Sequence, residues 1–263
     1  MKSTISACSC LIRYASLLLS IIMLIGCNSS ASPLAAAHRV NTADALWRIT
    51  HEQCVPHQLT EHAPTPCAKV NLADQYVILK DRVGPLQHLL IPTEKISGIE
   101  SAMLLGPTGH HLVAHAWQER SWLNQLYGQA IPDQALSLTI NARRARTQNQ
   151  LHIHISCLKP AFRKHLDSLT PGLNEQWQRI NNGMNQHPYW ARTMSQSELT
   201  DRNPFQLLNQ GLPQAQGHME EFGLGLATMQ DGRFILLASQ QSGLLPHASM
   251  EEIQDHECPQ LFH

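Results

Sequence analysis

The stretch NQLHIHISCL, residues 149–158, alternates polar and apolar residues with a period of two. On a strand, successive side chains point to opposite faces, so His152, His154 and Ser156 fall on one face and Ile153, Ile155 and Cys157 on the other. The chain is thereby expected to build a sheet with two imidazoles side by side on one surface. Three readings of that surface follow. The first is a half-exposed strand whose polar row meets water. The second is a metal site, because H-x-H on a strand supplies two ligands in many metallohydrolases. Its usual Asp-His continuation is missing, with Ser156-Cys157 in that place, and His111 and His115 are the candidates to complete a ligand set. Those two sit four apart on an expected helix and equally suit a polar face or a satisfied core, so no metal and no cofactor is expected. The third reading makes one histidine a nucleophile.

The N-terminus bears on where such chemistry takes place. Lys2 and Arg13 carry the only charges before Cys27, and the apolar run from Tyr14 to Gly26 is thirteen residues long. That is short of the roughly 20 residues of a bilayer-spanning helix, and a positive segment followed by a short apolar one is a secretory signal. It ends Leu24-Ile25-Gly26-Cys27, which resembles the bacterial lipoprotein box, where the cysteine is lipidated and becomes the new N-terminus. The alternative is an uncleaved anchor. Either way the body of the chain is expected in the bacterial cell envelope, membrane-anchored and facing the periplasm, with the inner membrane ahead of the outer.

The expected organisation is a signal or anchor over residues 1–26, a small polar tether over 27–44 and one domain over 45–263. A chain of 263 residues suits one α+β domain or two small ones. Without residues 1–26 there remain 17 basic and 20 acidic residues, a net charge of −3, so nucleic acid is not an expected partner. Past Cys27 stand Cys54, Cys67, Cys157 and Cys258. An even number in an oxidising compartment favours two disulfides, and short loop closure favours Cys54–Cys67 with Cys157–Cys258 among the three pairings. No C-x-x-C is present to suggest zinc.

Along the chain, a helix is expected from Ala45 to Cys54, capped by Asp44, then a Pro-rich loop to Val70. YVILKD (residues 76–81) and LQHLLIPT (86–93) read as strands joined through Gly84-Pro85. HHLVAHAWQERSWLNQLYG reads as one amphipathic helix that Gly128 ends. LSLTINAR (136–143) and QLHIHISCL follow as strands with a basic loop between them. Helices are expected beyond residue 160, then a strand pair, GLGLATM and RFILLASQ, around Asp231-Gly232. The apolar stretch from Leu86 to Leu105 is a candidate lipid-facing lip.

An H-φ-H-φ-X strand with Gln148 four residues and Asn141 eleven residues before the first histidine resembles the histidine-triad superfamily of nucleotide hydrolases and transferases. The blocks YVILKD, GPLQ, RTQNQLHIHISC and EEIQDHEC together are similar to one branch of it, the CDP-diacylglycerol pyrophosphatases, over roughly Ala45 to Cys258. The resemblance implies an α+β fold with a histidine-triad-like core: an antiparallel sheet with a packed helix, elaborated by C-terminal helices and a strand pair. It implies hydrolysis of CDP-diacylglycerol to CMP and phosphatidate, with His154 as the nucleophile and His152 fixing its neighbour's tautomer. Asn141 and Gln148 would bind ribose or phosphate oxygens. Arg143 and Arg146 would suit the diphosphate, with Lys80 as a further candidate. Ser156 departs from the superfamily's third histidine; a hydroxyl donor suffices for a phosphate monoester leaving group, whose second pKa is about 6. The covalent cytidylyl-histidine intermediate that this implies would also serve a cytidylyltransferase, and a surface lipoprotein that binds nucleotides without turnover is the non-enzymatic alternative.

Overall fold

The computed structural model describes residues 42–180, 188–241 and 249–261. The expected signal segment, Cys27 and nearly all of the tether lie outside them. Among the described residues no helix is long and apolar enough to cross a membrane.

Among the described residues nine strands form one antiparallel sheet in the order β1-β2-β3-β5-β4-β8-β9-β7-β6. They are β1 (Lys69–Asn71), β2 (Tyr76–Lys80), β3 (Gln87–Pro92), β4 (Leu136–Ile140), β5 (Ile153–Cys157), β6 (Gln178–Ile180), β7 (Tyr189–Met194), β8 (Phe222–Thr228) and β9 (Phe234–Gln240). The expected order of strand, strand, helix, strand, strand is present as β2, β3, a run of short helices, β4 and β5, and β8–β9 is the expected late pair. Gly232, at φ 84°, takes the left-handed turn position between those two strands. The fold is α+β with a large antiparallel sheet. β1, β6 and β7 went unread, because short or single-residue-polar strands such as YWARTM carry no period-two signal.

The helical expectations need adjustment at their ends. The first helix does not stop at Cys54: Ala45–Arg48 runs through a π-helical segment, Ile49–Cys54, into Val55–Glu61. Asp44 offers no side-chain cap and pairs with Lys95 Nζ at 3.0 Å instead. The long amphipathic helix is two, Leu112–Gln118 and Ser121–Tyr127, with Gly128 ending the second at φ 86°. Glu119, at the break, turns its carboxylate inward to accept from Tyr76 Oη, Lys69 Nζ and Trp122 Nε1. Three buried or half-buried donors outweigh helix continuity at that residue.

Period-two alternation places different cores on the two faces of the sheet. Ile153, Ile155 and Cys157 join Tyr76, Ile78, Leu90, Leu138, Leu224 and Leu236 in the main core under the helices. Opposite lie two smaller clusters. One packs Val77, Leu79, Leu89 and Ile91 against the N-terminal helix and its Cys54–Cys67 bridge. The other packs Ala227, Ile235 and Leu237 against helix Pro160–Leu169 and Met250 and Ile253 of the C-terminal segment. The polar row of β5 lies between them. It is buried, so the half-exposed strand is not what forms. The stretch Leu86–Leu105 supplies core, with Leu89, Leu90, Ile91, Ile96, Ile99 and Leu104 all buried, and it is not a lipid-facing lip.

Candidate active site

Cross-strand register decides which side chains share the surface of His154. Leu89 of β3 and Thr139 of β4 lie opposite it, and Gln87 and Ser137 lie opposite Ser156. The second expected disulfide, Cys157–Cys258, ties the far face of the same strand to the C-terminal segment. That segment then folds back over the polar face. Leu158 bridges Gln254, Asp255 N–H donates to the Cys157 carbonyl, and Leu86 N–H donates to the His256 carbonyl. Gln254 fills the polar surface itself, accepting from Thr139 Oγ1 at 3.0 Å and donating to the Ser137 carbonyl at 3.1 Å.

Beside this brace a cavity of about 440 Å³ opens. His152, His154, Asn141, Gln87 and Glu251 line it, together with Lys80 at the end of β2 and Asp81 and Arg82 of the β2–β3 connection. Leu46, Ile49, Leu79, Val83 and Leu89 supply apolar lining. The two imidazoles stack edge to face at 4.8 Å between centroids. His152 Nδ1 hydrogen-bonds the Gln150 carbonyl at 2.7 Å, which leaves the lone pair on its Nε2. His154 Nδ1 lies 2.7 Å from the Gln87 side-chain amide and 3.2 Å from Glu251 Oε1, while its Nε2 has no hydrogen-bond partner among the described residues. Burial drives the His154 imidazole down to about 3, against the raising effect of Glu251, so the ring is neutral at neutral pH. Burial likewise lowers His152.

Glu251 is held by three groups. Asn141 Nδ2 donates to its Oε2 at 2.5 Å, His154 Nδ1 lies at 3.2 Å from Oε1, and His256 Nε2 lies at 3.6 Å from the same oxygen. Burial alone would raise its pKa; the His256 ring 3.6 Å away and the Asn141 amide outweigh it, and the carboxyl is held at about 2. The other nitrogen of His256, Nδ1, lies 2.9 Å from Ser156 Oγ. Gly84 makes room for this histidine: at φ 72° it needs no side chain, and a Cβ there would meet His256 Cβ at 2.3 Å.

Several residues expected to touch substrate have their polar atoms committed elsewhere. Ser156 is fully buried, donates its hydroxyl proton to the Leu86 carbonyl at 2.7 Å, and does not line the cavity. Its hydroxyl ties the strand to the Leu86 carbonyl and lies 2.9 Å from His256 Nδ1. Arg146 lines the cavity, but its guanidinium forks onto Glu100 at 2.6 and 2.7 Å with its side chain 5% exposed, so its charge is already neutralised. Gln148 accepts from Leu46 N–H and donates to the Thr42 carbonyl, which anchors the N-terminal helix as a cavity wall. Asn141 holds Glu251. Arg143 is exposed and outside the cavity lining. The partners of Asn141, Arg146 and Gln148 lie 46 to 110 residues away in sequence, beyond the reach of local pattern.

Lys80 does line the cavity, with two of its ammonium protons on the Asp81 and Gly84 carbonyls and one left over. The exposed Arg82 beside it is a cation that pattern reading missed. Glu251 and His256 were also missed; both lie in EEIQDHEC, a block whose resemblance was noted without roles. His111 and His115 line a different cavity with Asp74 and Glu94, so the set that would have completed a metal site on His152 and His154 does not assemble.

The comparisons with known proteins agree with these blocks. A family model for CDP-diacylglycerol pyrophosphatase matches residues 41–261. A CDP-diacylglycerol pyrophosphatase from Yersinia pestis is 44% identical over 252 residues, covering 95% of each chain. A solved DUF4931 family protein from Bacillus cereus is 9% identical, with a TM-score of 0.47 over 74% of this chain and 95% of that one, too remote to inform the site. The family match spans the β2–β3 connection, the histidine strand and the C-terminal segment that together build the cavity, and the chain belongs to the CDP-diacylglycerol pyrophosphatase family.

Proposed function

We propose that this chain hydrolyses CDP-diacylglycerol to CMP and phosphatidate through a cytidylyl group held on His154. The family match and the 44% identical relative support a hydrolase of this substrate. The observation that carries the reading is the mixed lining of one cavity: two neutral imidazoles, two cations at Lys80 and Arg82, and the apolar surfaces of Leu46, Ile49, Leu79 and Val83. A nucleoside diphosphate esterified to a diacylglycerol needs polar, cationic and apolar contacts in one place. Arg82 and the remaining proton of Lys80 suit the diphosphate in place of Arg143 and Arg146.

In the first step the Nε2 lone pair of His154 forms a bond to the phosphorus next to the ribose. The bond from that phosphorus to the bridging oxygen breaks, and its electron pair leaves on phosphatidate. The leaving group is a phosphate monoester, which departs without a full proton because its second pKa is about 6. Water then attacks the cytidylyl-histidine, the P–N pair returns to Nε2, and one proton passes to solvent. Two in-line displacements retain configuration at that phosphorus.

A second reading makes His152 the nucleophile, favoured by the Nδ1 bond to the Gln150 carbonyl that leaves its Nε2 lone pair available. Transfer of the cytidylyl group to an acceptor other than water uses the same intermediate. Membrane tethering draws support from the apolar run before Cys27 and from the chain's entry into the domain through the helix whose Leu46 and Ile49 line the cavity.

Reaction in ¹⁸O-water tests the assignment. The label is expected in CMP and not in phosphatidate, with acid-labile protein-bound cytidylyl on brief quenching that disappears in His154→Ala. Label in phosphatidate would overturn the site of attack. Trapped protein label that survives in His154→Ala but not His152→Ala moves the nucleophile to His152. Ligand binding without any CMP release leaves only the non-catalytic lipoprotein.

A further inference from the structure

The C-terminal segment brings a carboxylate against the ring nitrogen of His154 that faces away from the attacking one, a contact outside the histidine strand altogether. We infer that Glu251 is a positioning residue for the reaction: its ionised carboxylate holds the proton of His154 on Nδ1, keeps the lone pair on Nε2, and stabilises the imidazolium that forms when Nε2 takes up the cytidylyl group. The role rests on the functional reading above for its reaction, and on geometry alone for the tautomer.

An ionised carboxylate 3.2 Å from Nδ1 repels a lone pair and attracts a proton, so Nδ1 carries the hydrogen. In this orientation the Gln87 amide donates from Nε2 to His154 Nδ1 at 2.7 Å, which would put the ring proton on Nε2, and its Oε1 is then buried without a partner. Turning the amide over, a choice that oxygen and nitrogen positions leave open, presents Oε1 as a second acceptor for the same Nδ1 proton. Both neighbours then accept, and the unpartnered Nε2 is left as the basic nitrogen.

Glu251 is itself fixed by Asn141, whose Nδ2 donates to its Oε2 and whose Oδ1 accepts from its backbone N–H at 3.4 Å. Ser156 donates its hydroxyl proton to the Leu86 carbonyl, so its oxygen accepts from His256 Nδ1, and His256 Nε2 lies 3.6 Å from the carboxylate. The polar face of the strand thus reads Ser156, His256, Glu251, His154. When the N–P bond forms, Nε2 becomes part of a cation and the Nδ1 proton stays where it is. The carboxylate then faces a full positive charge on the adjacent ring, an interaction stronger in the transition state than in the ground state. When water breaks the N–P bond the electron pair returns to Nε2 and the neutral Nδ1–H ring is restored.

The test combines imidazole ¹⁵N NMR of the full chain with steady-state kinetics on CDP-diacylglycerol in detergent micelles. In the wild type His154 is expected as the Nδ1–H tautomer. In Glu251→Gln, kcat is expected to fall about 100-fold or more with KM changed less than about threefold, and the His154 tautomer to become mixed while the other histidine signals hold. An Nε2–H tautomer for His154 in the wild type overturns the inference, as does a Glu251→Gln protein that keeps both its tautomer and its turnover. If Glu251→Gln fails to fold, the wild-type tautomer decides alone. A wild type that shows the Nδ1–H tautomer but releases no CMP sinks the functional reading and leaves the tautomer assignment standing.

Discussion

Replacing Cys157 and Cys258 together by alanine removes a bridge with a sequence separation of 101 residues, against 13 for Cys54–Cys67. A crosslink lowers the entropy of the unfolded chain roughly with the logarithm of its loop, which gives about 4.7 kcal/mol for a loop near 100 residues and about 3 kcal/mol for one near 15. The folded state should change little. The C-terminal segment keeps its bonds to Leu86, Ser137, Thr139, Cys157 and Leu158, each contributing on the order of 1 kcal/mol. The expected loss is therefore about 3–5 kcal/mol, or roughly 6–20 °C in midpoint for a domain of this size. Urea unfolding without reductant measures it. The m-value should rise, because the uncrosslinked unfolded chain exposes more surface. Turnover at low denaturant should stay within about tenfold of wild type, since Glu251 and His256 remain docked by those bonds. A loss no larger than that of the Cys54→Ala, Cys67→Ala protein would refute the loop-entropy argument, and an inactive but fully folded variant would refute the docking argument.

Two further outcomes follow from charges near the cavity. Arg146→Ala should lower stability by about 3–5 kcal/mol by leaving Glu100 half-buried and unpaired, whereas Arg82→Ala should mainly raise KM; a raised KM with unchanged stability in Arg146→Ala would return that residue to the diphosphate. Stability should fall as pH drops below about 6.5, because burial lowers His88 to about 4 and His154 to about 3 and the unfolded chain binds those protons first. Each such histidine contributes a slope of about 1.4 kcal/mol per pH unit until its folded-state value is reached. Glu251, lowered to about 2, adds its own stabilisation above the ordinary carboxylate range and loses it only as pH falls from about 4.5 toward 2. Urea midpoints that stay flat between pH 6.5 and 4.5 would contradict the burial of these rings.

Local pattern determined what local forces control. Period two in LHIHISC set the strand, its two faces and the pairing of imidazoles, because side-chain direction along a strand is a property of the backbone. The same alternation sent Cys157 to the face opposite the histidines, and cysteine count with loop length selected both bridges. What only the tertiary structure decided is which polar atoms remain for a ligand. Asn141, Gln148 and Arg146 have the right chemistry and the right sequence neighbourhood, yet Glu251, the N-terminal helix and Glu100 have already taken their hydrogen bonds. A buried polar group must be paired wherever its partner comes from, and partners 46 to 110 residues distant leave no trace in a local window. Glu251 and His256 stand at the reverse of that rule: on a short irregular segment with no period of its own, they reach the histidine strand because a disulfide, a bridge and the Gln254 amide hold the chain end across it.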